Sequence, residues 1–235
     1  MTQIVLAWDK SELTRADIHL LNRILPQIGM VKVGLEAMTA NFGAGSVATA
    51  VRDIAKAHGT RVLWDMKLHD IPNTVMKTLD NLSGKVDAVT IHASNGRLAL
   101  ADVMNHVNLF DKELILFAVT VLTSMSDDGS REVYGGDAQS TVLNFADDAR
   151  ATGIPGIVCS GKELHTLRRH ALKKLVPGIR PAWASSDDQA RITTPAEAVQ
   201  LGADYIVVGR PILGHPDPLE AIRLIKEEMA NARES

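Results

Sequence analysis

The sequence has a single cysteine, Cys159, in 235 residues, so no internal disulfide can form. A reducing cytoplasm is therefore the expected location. Apolar runs are short as well, and none approaches the ~20 residues that a membrane helix requires. The opening Met1-Thr2-Gln3 carries no basic residue, and Asp9, Lys10 and Glu12 interrupt the apolar stretch behind it. No export signal is expected from that pattern. Neither sign of charge is in excess: 25 Lys+Arg against 28 Asp+Glu leave −3. This balance speaks against a nucleic-acid or anionic-membrane partner, since those need a basic footprint. Zinc-ligand spacing, a Walker loop and a dinucleotide fingerprint are all lacking. So are low-complexity tracts, flexible linkers and fixed-period repeats that would divide the chain.

What is present is a packed-core composition, 46% hydrophobic and only 23% charged, which excludes a disordered chain. Length divided by ~150 residues per domain gives between one and two domains. Eight short apolar runs decide between them: Ile4–Trp8, Met30–Val33, Arg61–Trp64, Val86–Ile91, Leu114–Leu122, Gly156–Cys159, Lys174–Val176 and Tyr205–Val208. They are rich in Val, Ile and Leu without strict polar alternation, as parallel strands covered on both faces should be. Helical spacing fills the intervals, as in Leu13, Ile18, Leu21 and Leu25, in Val47, Val51, Ile54 and Ala55, and in Leu219, Ile222, Ile225 and Met229. Gly29, Gly59, Gly153 and Gly202 each precede a strand, where a helix C-terminus favours a residue tolerant of positive φ. Strict strand–helix alternation leaves a doubly wound sheet or a closed barrel. Eight units in 235 residues match the ~250 of a barrel. The expectation is an α/β fold, a (β/α)8 TIM barrel, with residues 1–235 as one domain.

Such a barrel places its chemistry at the C-terminal ends of the strands. Polar residues fall there: Asp9 after the first run, Lys32 late in the second, Asp65 and Lys67 after the third. His92 ends the fourth, Thr120 and Thr123 end the fifth, and Gly209-Arg210 follows the eighth. Asp65 and Lys67 are two apart in an expected extended segment, so their side chains share a face. Asp70 stands just before Pro72, where a helix is expected to begin. A structural reading remains open, with Asp70 as the helix cap and Asp65–Lys67 as a simple ion pair. A lysine inside an apolar strand, as Lys32 is, must be paired, exposed or functional. Asp9 is open to a capping role for a helix starting near Ser11. Val208-Gly209-Arg210-Pro211 and Pro177-Gly178-Ile179-Arg180-Pro181 together read as a phosphate site, with an Arg clamp and close backbone approach. The polar stretch Ala182 to Gln189 reads as a lid. Cys159 and the histidines read as packing or solvated groups, with His92 hydrogen-bonded rather than acting as a base.

Asp65-x-Lys67-x-x-Asp70-Ile71-Pro72-x-Thr74 resembles the signature of the orotidine 5'-phosphate decarboxylase family. Leu6–Asp9, Val31–Gly34, Val119–Met125, Pro177–Pro181 and Val208–Pro211 resemble further family segments, in the family's order. The resemblance implies a (β/α)8 homodimer that removes CO2 from orotidine 5'-phosphate, giving uridine 5'-phosphate without metal or organic cofactor. It implies a catalytic array of Lys32, Asp65, Lys67 and Asp70, in which Lys67 protonates C6 and Asp65 lies beside the departing carboxylate. Lys32 would contact the ribose and anchor Asp65, Asp9 would bind a ribose hydroxyl, and Thr123 the pyrimidine edge. Asp70, Ile71 and Thr74 would reach the partner's site. Gly209, Arg210 and Arg180 would hold the phosphate, with Gln189 closing from the lid. The chain departs from the family pattern at Ala182-Trp183-Ala184, where members usually carry a glycine near the lid's hinge.

Two competing readings bear on the same residues. Related magnesium-dependent barrels, 3-keto-L-gulonate 6-phosphate decarboxylase and hexulose-phosphate synthase, place a glutamate where this chain has Lys32. A lysine there repels a divalent cation. A catalytically silent phosphate-binding barrel would be expected to lose Asp65 or Lys67, and both are present.

Overall fold

The structure, a computed structural model, describes residues 2–40, 45–184 and 193–234. Its eight strands are β1 (Gln3–Trp8), β2 (Met30–Gly34), β3 (Arg61–Leu68), β4 (Ala88–His92), β5 (Ile115–Val119), β6 (Gly156–Val158), β7 (Lys173–Val176) and β8 (Tyr205–Val208). Each pairs in parallel with the next, and β8 pairs with β1, so the sheet closes into a barrel. Eleven α-helices occur among the described residues. They are α1 (Arg15–Ile24), α2 (Leu35–Thr39), α3 (Val47–Ala57), α4 (Pro72–Leu82), α5 (Arg97–Phe110) and α6 (Asp127–Tyr134), then α7 (Ala138–Ala151), α8 (Leu164–Leu167), α9 (Pro195–Gln200), α10 (Arg210–Leu213) and α11 (Pro218–Glu234). The expected α/β barrel is thus the fold observed. None of these helices is long and apolar enough to cross a membrane.

Two apolar layers hold the barrel, and strand alternation divides them. Val5, Ala7, Met30, Leu63, Ala88, Phe117, Leu175, Tyr205 and Val207 pack inside the lumen. Their strand neighbours Leu6, Val31, Val62, Val89 and Ile206 face the helices and join the larger core there. Phe117, fully buried, meets Tyr205 edge-on at 5.6 Å between ring centroids. Gly156 makes room for it, because a Cβ at that position would lie 2.6 Å from the Phe117 ring. A packed lumen closes the floor of the barrel, so a ligand can enter only at the rim.

Several local expectations change. Gly59, Gly153 and Gly202 have positive φ, but Gly29 does not. Gly29 is small for another reason: a Cβ there would collide with the Gln3 side chain. Helix α1 starts at Arg15 rather than near Ser11, because Thr14 and Asp17 form a reciprocal capping box. Ile18 on its expected apolar stripe is 39% exposed, and Ile24 is buried instead. Strand β5 stops at Val119, leaving Thr123 in the loop beyond it. Strand β3 continues through Asp65 and Lys67 to Leu68, although both were expected just past its end.

Candidate active site

The period of two that fills the lumen also sets the mouth. Continuing inward-facing positions upward takes Val5 and Ala7 to Asp9, Met30 to Lys32, Leu63 to Asp65, and Ala88 to Thr90 and His92. The strands are thus apolar at the floor and charged at the rim. Lys32 Nζ donates to Asp9 Oδ1 at 3.0 Å and lies 3.3 Å from Asp65 Oδ2. Lys67 Nζ donates to the same Asp65 oxygen at 2.9 Å. The result is a row of alternating charges, Asp9, Lys32, Asp65 and Lys67. The open alternatives for Lys32 and Asp9 are thereby overturned: Lys32 points into the mouth rather than outward, and Asp9 pairs with it rather than capping α1. Gly34 leaves the room they need, since a Cβ there would run into the Asp9 carboxylate.

Asp65 is the hub of the row, with only 12% of its side chain exposed. Burial pushes its carboxyl pKa up, but the Lys32 and Lys67 ammoniums and hydrogen bonds from Lys67 and Thr90 outweigh that and hold it below the ordinary value. Lys67 reaches this carboxylate from an unexpected backbone. Between the pairs Trp64–Val89 and Leu68–Ile91, β3 advances four residues while β4 advances two. Lys67 sits in this bulge at φ +51°, the one non-glycine with positive φ among the described residues. Simple extended alternation is therefore not what brings Lys67 to Asp65. The bulge re-aims it, a use to which such irregularities near active sites are often put. Asn95 fastens the end of the bulge, donating from Nδ2 to Leu68 O at 2.9 Å and His92 O at 3.0 Å.

A cavity of about 630 Å³ opens over this row. Asp9, Lys32, Asp65 and Lys67 line one side; Thr123, Arg180, Gly209 and Arg210 line another, and Val119, Val158, Leu175 and Val207 form its apolar floor. Sequence-expected residues from six different strand ends thus meet in one space. Arg180 is 5% exposed, and its backbone N–H donates to Thr193 O at 3.0 Å, tying the end of the β7 loop to the segment before α9. Trp183, at the point of departure from the family pattern, lies edge-on to His215 at 5.2 Å. Gln189, and with it most of the expected lid, lies outside the described residues.

Asp70, Ile71 and Thr74 do not join this cavity. All three are exposed, Ile71 to 66%. Asp70 does not cap α4, whose cap position is Ile71; its carboxylate accepts the Ile71 N–H, at 2.7 Å. His92 is hydrogen-bonded, with Nδ1 2.9 Å from Ser94 Oγ, and it stacks on His69 at 5.3 Å. Burial, then His69 and Lys67, hold its pKa below the ordinary histidine value, which favours the neutral ring. Cys159 is fully buried and its thiol pKa is raised, by burial first and then by the Glu163 carboxylate, which suits packing rather than nucleophilic work. Thr90 escaped the sequence reading. The inward parity of β4, shared with Ala88 and His92, was the signal that could have found it. Among the described residues, no group of three or more His, Cys, Asp or Glu side chains is placed to hold a metal ion.

This geometry coincides with a family match over residues 2–225, to the model described as Orotidine 5'-phosphate decarboxylase / HUMPS family. The chain belongs to this family. The Wolbachia protein (subsp. Brugia malayi) named orotidine 5'-phosphate decarboxylase is 37% identical over 235 residues, covering 98% of this chain and 100% of that one. Its Staphylococcus aureus namesake is 43% identical over 178 residues, covering 73% of this chain and 77% of its own. Among solved structures, the orotidine 5'-phosphate decarboxylase of Lactobacillus acidophilus superposes with a TM-score of 0.80 at 30% identity. That superposition covers 97% of this chain and 99% of the other. At position 32 this chain carries a lysine, the second member of the charged row.

Proposed function

We propose that this chain removes CO2 from orotidine 5'-phosphate to give uridine 5'-phosphate, in the last step of de novo pyrimidine synthesis, with no metal or organic cofactor. The observation that carries the reading is the Asp9–Lys32–Asp65–Lys67 row at the cavity mouth, with its second member a lysine. Breaking the bond from C6 to the carboxylate leaves the electron pair on C6, where the pyrimidine ring delocalises it poorly. Without an electron sink, the protein must offset that charge by fixed electrostatics and supply a proton. An ammonium has three donors and Lys67 commits one to Asp65, which leaves others to face C6. Lys67 stabilises the developing carbanion, delivers its proton to C6 as neutral CO2 departs, and regains a proton from solvent. Asp65 holds Lys67 in place and repels the substrate carboxylate.

The other roles follow the cavity's walls. Lys32 and Asp9 bind the ribose, Thr123 the pyrimidine edge, and Gly209, Arg210 and Arg180 the phosphate, with Gln189 closing over it. Exposure of Asp70, Ile71 and Thr74 beside the charged row supports their service in a second subunit's site, so the working unit is a homodimer with shared sites. Residues 1–235 act as one barrel domain, in the cytoplasm, on a small-molecule substrate rather than on nucleic acid or membrane.

The test is turnover of orotidine 5'-phosphate by the purified protein in excess chelator, followed by the ultraviolet change from orotate to uracil. Turnover unaffected by the chelator is expected. No turnover, or turnover restored only by magnesium, overturns the reading.

A further inference from the structure

We propose that Thr90 is a positioning residue of this site, its one hydroxyl setting both the Asp65 carboxylate and the backbone from which Lys67 reaches into the cavity. The inference rests on the decarboxylase reading above and adds a residue to it. Thr90 lies in the middle of β4, faces inward and is 1% exposed. A buried hydroxyl is costly unless its hydrogen-bonding capacity is used. Here both halves are used, and both on the charged row. Oγ1 donates to Asp65 Oδ1 at 2.9 Å and accepts from the Lys67 backbone N–H at 2.8 Å. The directions follow from chemistry: an ionised carboxylate only accepts, and a backbone N–H only donates.

The consequence for Asp65 is a division of labour between its oxygens. Oδ1 is tethered from β4, while Oδ2 takes Lys67 at 2.9 Å and Lys32 at 3.3 Å. A carboxylate's terminal torsion is broad, so without the tether it can turn Oδ2 away from the two ammoniums. The consequence for Lys67 is conformational. A left-handed backbone is costly for a non-glycine residue, and the Thr90 hydroxyl receives the N–H of that very residue, at φ +51°. A threonine serving only the barrel frame bonds differently. Thr120, also fully buried, donates to the Val158 carbonyl of the adjacent strand at 2.7 Å. Thr90 is not among the residues that line the cavity, so it acts through Asp65 and Lys67 rather than on substrate.

The experiment compares Thr90→Val, which keeps the shape and deletes the hydroxyl, with Thr90→Ser, which keeps the hydroxyl. Each is assayed beside the wild-type protein for kcat and KM on orotidine 5'-phosphate. The Asp65 carboxyl is titrated in the ligand-free proteins by carbon NMR. Groups facing Asp65 are Lys32 from β2 and Lys67 from β3, with His92 and His69 beyond Lys67 and Asp9 beyond Lys32; all are retained in both variants. Loss of a hydrogen bond to a charged group predicts a fall in kcat of about 10- to 100-fold in Thr90→Val, with KM nearly unchanged. The Asp65 titration should move to higher pH, and Thr90→Ser should recover most of both. Wild-type kcat in Thr90→Val with an unmoved Asp65 titration overturns the proposal. So does an equal loss in Thr90→Ser, which would assign the effect to packing. If Thr90→Val fails to fold, Thr90→Ala is measured against the same criteria. Absence of wild-type turnover would defeat the decarboxylase reading instead, and the Asp65 titration would still decide the role of Thr90.

Discussion

Lys32→Met isolates the electrostatic logic of the mouth, because it removes one ammonium and keeps most of the side-chain length. Lys32 Nζ lies 3.3 Å from Asp65 Oδ2, and both side chains are nearly buried at 13% and 12% exposure. At an effective dielectric of ~20, that pair has a gross attraction of about 5 kcal/mol. Three effects reduce the net loss. Burying the ammonium is itself costly, so part of the gross attraction only offsets that penalty. Lys67 still faces Asp65 from 2.9 Å. Asp9, with a side chain 48% exposed, rehydrates on losing its partner and contributes little. A loss of about 2 kcal/mol remains, equivalent to a drop of ~0.7–1 M in the urea midpoint at unchanged slope. The loss should also depend on pH. In the wild-type fold Asp65 has a lowered pKa, so its stabilising contribution is complete above the unfolded value near ~3.9 and disappears as pH falls through the folded one. The gap between wild type and Lys32→Met should therefore be full from about pH 5 to 8, begin to shrink near ~4 as the unfolded chain takes up protons, and close only below the lowered folded value, where Asp65 is protonated in both. Urea melts at a series of pH values measure it. A gap that does not narrow between pH 7 and the acid limit of folding, or no gap at pH 7, refutes this account of the row.

Two further outcomes concern activity. Lys67→Ala should keep the fold, because Lys67 is partly exposed at the rim, yet lose turnover by at least about 10⁴-fold, the combined scale of proton transfer and charge stabilisation; near-normal kcat would remove Lys67 from the chemistry. If the sites are shared as proposed, mixing Lys67→Ala with Asp70→Ala chains should restore part of the activity that each lacks alone, since one site of a mixed dimer would be intact. No recovery in dimers shown by mass to be mixed would count against a shared site.

Much of the barrel was legible from short-range pattern. Eight apolar runs separated by helical stripes require a layered α/β answer, and the chain length favours closure over an open sheet. The position of the charges along the strands was legible for the same reason. Asp9, Lys32 and Asp65 each follow a lumen-facing apolar residue by an even number of steps, so a pleated strand points them the same way. Local reading failed both where a contact from another strand intervened and where a neighbouring residue took the expected place. Gly29 lies against the Gln3 side chain of the neighbouring strand β1, and its own φ is not positive. Asp70 looks like a helix cap in sequence, yet Ile71 holds that position and leaves Asp70 exposed.

The sequence by itself determined which residues are available and on which side of each strand they lie, because side-chain alternation is a local property of the backbone. It also placed a lysine at position 32, among apolar strand neighbours. Only the tertiary structure decided how those charges meet. The two extra residues of the β3 bulge, the left-handed Lys67 and the single hydroxyl of Thr90 between Lys67 and Asp65 all depend on the register of β3 against β4. The register between these strands shifts between Trp64 and Leu68, an irregularity that alternation within either strand does not contain.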